Sequence, residues 1–196
     1  TTNNAFGWSG VYSFATSGAL GISATAMIND AAGAHGVAAI DYTLGMISQL
    51  ITDQLIAIGE DLSFTWAYIV ELDGTLMGST TDECTDRSSG SVVRLKATEA
   101  SHSGAALSAA YLEENGWPVV DGVALSDENV RIEIGTFAFE DRGLVWLIVV
   151  GQNTDCSSTD TWTYGKCTTC ASGTKPINGV CVPCAAGYAG INGVCE

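Results

Sequence analysis

Positive charge is scarce in this chain. Seven Lys and Arg stand against 22 Asp and Glu in 196 residues, a formal net charge of −15. No basic stripe exists to neutralise phosphates, so nucleic acid is excluded as a partner and an anionic membrane surface is a poor one. Long apolar runs are missing too. The longest, GLVWLIVVG at 143–151, has the length of a strand, well short of the ~18 apolar residues of a direct membrane span. The only histidines are His35 and His102. Neither has a Cys or His partner at ligand spacing, so no metal site and no cofactor is expected. No G-x-S-x-G elbow accompanies the many serines. With no catalytic constellation, the chain is expected not to be an enzyme. Residue 1 is Thr and no signal-peptide pattern follows, which reads as a processed form or a fragment.

What is present in excess is cysteine near the end. Six of the seven cysteines are Cys156, Cys167, Cys170, Cys181, Cys184 and Cys195, spaced C-x10-C-x2-C-x10-C-x2-C-x10-C. The repeat goes beyond cysteine: CASGTKPINGVC (170–181) and CAAGYAGINGVC (184–195) share the INGVC ending, and CSSTDTWTYGKC (156–167) is a diverged first unit. A unit with so little apolar content cannot build its own core, and disulfides substitute for one. Four-thiolate zinc binding would use only the two C-x2-C pairs and would orphan Cys156 and Cys195. Six disulfide cysteines and an oxidising, extracellular setting are therefore expected. Connectivity is not readable from spacing, although pairing within each C-x10-C unit is simplest. Cys84 lies apart, in TTDECTDRSSG (80–90). It is a candidate for an intermolecular disulfide, a bond to a missing segment, or a shifted pairing with the tail.

The chain as a whole is 46% hydrophobic and can bury a core. Apolar–polar alternation in WSGVYSFAT (8–16) and ALGISATAMI (19–28) around Ser17-Gly18 predicts a hairpin. NDAAG (29–33) is a turn, with His35 read as a turn residue, and AHGVAAIDY (34–42) is a third strand. From Thr43 the period becomes helical: Leu44, Ile47, Leu50, Ile51, Leu55 and Ile58 share one face, with Thr43 as N-cap and Gly59 at C′. FTWAYIVEL (64–72) and TLMGST (75–80) form strands around Asp73-Gly74. Residues 91–115 suit a second helix, with His102 facing solvent from it and Asn115-Gly116 and Trp117-Pro118 ending it. VRIEIGTFAF (130–139) and LVWLIVVG (144–151) are strands, and the second should be central. The order β-β-β-α-β-β-α-β-β predicts an α+β class: an antiparallel sheet with packed helices, plus a small disulfide-rich C-terminal tail.

These residues resemble a family. VYSFATSGALGISATAMINDAAGAHGVAAIDYTLGMISQLI (11–51) is similar to the Cache domain, the extracellular PAS-like sensor module. YIVELDGTLMGST (68–80), RLKATEASHSGAALSAAYL (94–112) and GLVWLIVVG (143–151) resemble its later strand pair, helix and last strand. The resemblance implies a division into 1–42, a three-strand remnant of a first Cache module truncated on its N-terminal side; 43–63, a connecting helix; 64–152, a PAS-like module; and 153–196, the cysteine-rich repeat tail. The family's amino-acid-binding pattern has an Arg-x-Trp-Tyr-like stretch upstream, and only TTNNAFG precedes Trp8 here. Tyr12 and Asp41 match the later Tyr and Asp of that pattern. The tail resembles ephrin-receptor and EGF-like repeats, which implies a spacer or stalk.

Candidate ligand-binding residues are therefore Trp8, Tyr12 and Asp41. Asp41 could anchor a ligand ammonium, as the resemblance implies. It also sits just before a helix, where a carboxylate is favoured by the free N–H groups of the first turn, and this capping role is preferred. Trp8 and Tyr12 could stack on a ligand or simply pack on the sheet. Asp82, Glu83 and Asp86 bunch without Ca²⁺-loop grammar and read as a solvated acidic loop. Two functions are expected to compete. One is a non-enzymatic extracellular sensing or binding module for a small amine, amino acid or carboxylate. The other is a structural subunit of an extracellular filament or matrix, whose incomplete sheet is covered by a missing N-terminal segment or by another copy of the chain.

Overall fold

The computed structural model describes residues 6–29, 35–88, 90–126 and 130–154, with His35 as backbone only. In the tail it describes the backbone of six short strands. Among the described residues the fold is α+β, with antiparallel sheets and two α-helices.

The first sheet is built on β3 (Leu20–Asn29). One edge pairs along its length with β4 (His35–Thr43), from Gly21↔Thr43 to Asn29↔His35. His35 therefore opens a strand and is not a turn residue. The other edge carries β1 (Phe6–Trp8) and β2 (Tyr12–Ser13), with Trp8↔Ala24 and Tyr12↔Gly21. Between those two pairs the first strand advances four residues while β3 advances three. That extra residue is a bulge. Ser9 holds it, its N–H reaching the Ser23 carbonyl at 2.9 Å and its Oγ accepting the Ser23 N–H at 2.8 Å. Side chains alternate faces along a strand, so a one-residue insertion moves everything beyond it to the other face.

Helix α1 (Leu44–Ala57) begins at Thr43, whose Oγ1 accepts the Met46 N–H at 3.1 Å. It ends where Gly59 takes φ +85°, a conformation open to glycine at little cost. Its buried stripe is narrower than the periodicity suggests. Leu44, Ile47 and Leu55 are buried, while Leu50 and Ile58 are exposed.

The second sheet runs β6-β5-β11-β10-β9: β5 (Thr65–Glu71), β6 (Leu76–Ser79), β9 (Val123–Ser126), β10 (Arg131–Asp141) and β11 (Leu144–Asn153). The apolar β11 is central, as its composition requires. Helix α2 (Ser103–Glu114) covers one face, placing Ala105, Ala109 and Leu112 in a core with Trp66, Tyr68, Ile132, Ile134, Leu147 and Val149. The α1 helix lies against β6 on the other face. Gly78 permits that approach, since a Cβ there would lie 2.9 Å from both Ile47 and Ile51.

The second helix is shorter than expected from residues 91–115. Short strands β7 (Thr85–Asp86) and β8 (Val93–Arg94) and a 3₁₀ turn (Ala97–Glu99) occupy the stretch before it. Arg94 leaves the helical pattern because its guanidinium pairs with Glu71 at 2.7 Å and donates to the Leu76 carbonyl at 3.2 Å. In the tail, three antiparallel hairpins follow one another. They are β12 with β13 (Asp160–Thr163, Lys166–Thr169), β14 with β15 (Thr174–Ile177, Val180–Pro183) and β16 with β17 (Gly190–Ile191, Val194–Cys195). Cys156, Cys170 and Cys184 lie outside the described residues. So do the side chains of Cys167, Cys181 and Cys195, and with them the expected disulfides.

Candidate functional site

Register decides which candidate residues meet. Ser23 pairs with Asp41 across β3 and β4, and Tyr12 pairs with Gly21 on the far edge. Gly21 and Ser23 share a face, so Tyr12, Ser23 and Asp41 stand together on one side of the first sheet. The Ser23 hydroxyl donates to Asp41 Oδ1. The Tyr12 phenol is hydrogen-bonded to Ser23 Oγ and also reaches Asp41 Oδ1, at 3.3 Å. Ser23 is buried, while Tyr12 and Asp41 are exposed. Two neutral donors thus orient an exposed carboxylate, and no described Lys or Arg forms an ion pair with it.

Asp41 does not cap α1. Thr43 holds that position, and the Asp41 hydrogen bonds run across the sheet. An acidic group two residues upstream on a strand is already committed to its cross-strand neighbour.

Trp8 is not brought to this cluster. The bulge puts it on the opposite face with Ala24, where its ring packs at 6.3 Å from Tyr42. There its Nε1 donates to Asp141 Oδ2 at 3.0 Å, and Arg142 of the β10–β11 turn lies 5.0 Å over the Phe6 ring. Trp8 therefore works as a joint between the two sheets. Sequence reasoning missed both Ser23 and Asp141, because cross-strand partners separated by 18 and 133 residues leave no local signal.

Cys84 is a free thiol, 5% exposed, 3.7 Å from Ser48 Oγ. Burial pushes its pKa up and keeps the thiol away from the surface, where an intermolecular disulfide would need it. It backs a cleft of about 420 Å³ between the first half of α1 and residues 79–85. The hydroxyls there are largely spent within the cleft wall: Ser79 Oγ on Thr81 at 3.2 Å, Thr81 on the Asp82 carboxylate at 2.8 Å, Thr52 on the Ser48 carbonyl at 3.0 Å. In the acidic stretch Glu83 is exposed and Asp82 is half-buried. Burial alone would raise the Asp82 pKa, yet hydrogen bonds from Ser101 and Thr81 lower it overall.

His102 does not face solvent from the middle of a helix. It is the N-cap of α2, with Nδ1 accepting the Ala105 N–H at 3.2 Å and its ring 5.6 Å from that of Trp66. Beneath it, Tyr68 Oη bonds Ser108 Oγ at 2.9 Å, and burial drives this phenol far above its usual pKa. This hydrogen bond ties β5 to α2 within the core.

No protein-family model matches the chain, and no curated protein is significantly similar to it. Solved structures do resemble it. The ligand-binding domain of the Pseudomonas fluorescens chemoreceptor CtaA in complex with L-serine is 14% identical, with a TM-score of 0.44, and covers 78% of this chain and 56% of that one. Its complex with L-leucine gives 16%, 0.42, 78% and 55%. The ligand-binding domain of the Pseudomonas aeruginosa PAO1 amino-acid chemoreceptor PctC in complex with GABA gives 18%, 0.39, 76% and 54%. The chain spans about half the length of these domains. Its α+β class stands on the strands and helices described above. No helix among the described residues is long and apolar enough to cross a membrane.

Proposed function

We propose that the chain is a non-enzymatic extracellular sensing or binding module of Cache type, with Asp41 taking the ammonium group of a small amine or amino acid. The observation that carries this reading is the exposed Asp41 carboxylate, oriented by Ser23 and Tyr12 and free of a described ionic partner. An ammonium offers three donors to a carboxylate whose position is already set, which limits the ordering cost of binding. The net charge favours a cationic group over a simple carboxylate ligand. Thr25 and Ala39 lie on the same face of the sheet as Tyr12 and Asp41. The cysteine-rich tail then serves as a spacer. The test is thermal shift and calorimetry with a panel of amines and amino acids. An amine should raise Tm on the native chain and fail on Asp41→Asn. No shift with any amine, or a shift that survives Asp41→Asn, overturns the assignment.

A second reading rests on a separate observation. Among the described residues, the outer edge of β4 has no strand partner, and Val37 and Ile40 are exposed on its two faces. An open edge with apolar side chains is a surface for strand addition, which suits a filament or matrix subunit. Negative-stain images separate the two readings: polymers support the subunit, and a clean monomer at high concentration sinks it.

A further inference from the structure

The face of the second sheet opposite α2 is only partly covered. Over β5 and β6 it lies under α1. Over β10 it is open, and a groove of about 340 Å³ runs between the end of α1 and the sheet. Its walls are Ile58, 72% exposed, and Phe137, 60% exposed, with Leu55 at its base. Gly135 keeps the floor low. A Cβ there would meet nothing closer than the Val120 carbonyl, at 3.9 Å. Large apolar side chains held open on both sides of a trough mark a place for another apolar body.

The rim selects the kind of body. Glu60, Asp121 and Glu133 line the groove, and no Lys or Arg does. Glu60 is tethered by Thr65 at 2.8 Å and Gln152 at 3.3 Å, which fixes its carboxylate at the edge. Asp121 and Glu133 are exposed and form no ion pair with a described residue. A second copy of a chain with net charge −15 would bring further carboxylates to this rim. We infer that the groove docks a basic amphipathic helix of a partner protein. Apolar side chains one turn apart enter between Ile58 and Phe137, and Lys or Arg on the flanks face the three carboxylates. Apolar burial supplies the affinity, and the charges steer the encounter and set its orientation.

The probe is a synthetic amphipathic helix with Leu at i, i+4 and i+7 and flanking Lys, followed by fluorescence anisotropy on the full chain. A scrambled peptide of equal charge and no apolar face is the control. The ordered peptide should bind about tenfold or more tightly than the scrambled one, and Phe137→Glu should erase that margin. Phe137 is mostly exposed, so this variant should keep its fold, which circular dichroism checks. A second variant, Asp121→Asn with Glu133→Gln, should weaken binding and flatten its salt dependence. Equal binding of both peptides would reduce the effect to bulk charge and overturn the inference. So would tight binding that ignores Phe137→Glu. A dimer seen by sedimentation and lost in Phe137→Glu, with no peptide bound, would assign the groove to a second copy and also overturn it.

Discussion

Trp8 and Asp141 lie 133 positions apart in sequence and are joined by a 3.0 Å hydrogen bond from the indole Nε1 to Oδ2. The bond ties the first strand of one sheet to the last residue of β10 in the other. Trp8→Phe keeps an aromatic ring and removes the donor. Because both groups are partly exposed, the expected loss is about 1 kcal/mol, that of an ordinary hydrogen bond and below the range for a buried charged acceptor. Urea denaturation measures it. In a double-mutant cycle with Asp141→Ala, which removes the acceptor, most of that loss should appear as coupling, and additive effects would count against the joint.

Gly151 lies directly opposite Trp66 across β11 and β5. A Cβ at this position would stand 2.2 Å from the Trp66 ring, which is 2% exposed and packed in the core. Gly151→Ala is therefore expected to destabilise by about 2–3 kcal/mol through overpacking. Thermal unfolding would register this as a drop of several degrees. Adding Trp66→Leu should recover part of the loss, and strict additivity of the two changes would refute the steric explanation.

The same pair of strands shows what sequence reading can reach. The apolar run of β11 announces a central strand, and the helical period from Leu44, framed by Thr43 and Gly59, announces α1. Both signals are local and strong. The trio Trp8, Tyr12 and Asp41 fails on a subtler point. An unbroken strand would put Trp8 and Tyr12 on one face, since they are four residues apart. The bulge at Ser9 separates them, and it is specified by a hydroxyl meeting a distant backbone N–H. Residues 91–102 mislead for a similar reason. Val92 and Leu95 carry helical spacing, but the Arg94–Glu71 ion pair and the bridge from Lys96 to Thr75 hold the backbone extended. The strand β9 is too short to show alternation. The tail hairpins carried a usable signal, Asn-Gly at 178–179 and 192–193, the dipeptide that favours tight hairpin turns.

Cys84 should behave as a protected thiol. Burial both blocks access and raises its pKa, so little thiolate exists near neutral pH. A thiol reagent should leave it unmodified in the native chain and react with it after denaturation. Comparison with Cys84→Ser isolates this one thiol from the tail cysteines. Rapid labelling of native Cys84 would contradict the packed environment and reopen the possibility of an intermolecular bond.

His102 makes stability depend on pH in a direction that can be worked out. Its Nδ1 must be unprotonated to accept the Ala105 N–H and cap α2. Burial beside Trp66 disfavours the charged ring, and the nearby Asp82 only partly opposes this, so the folded pKa lies below the ordinary 6.5. The unfolded chain then binds the proton more readily than the folded one. This contribution is whole above about pH 6.5 and declines as pH falls from there through the lower folded value. His102→Asn supplies a capping oxygen that does not titrate. The variant should match the native chain to within about 1 kcal/mol at pH 8. Below pH 6.5 it should lose the part of the acid slope that belongs to His102. Chemical denaturation at a series of pH values measures both slopes. Identical slopes would show that the imidazole cap does not sense protons.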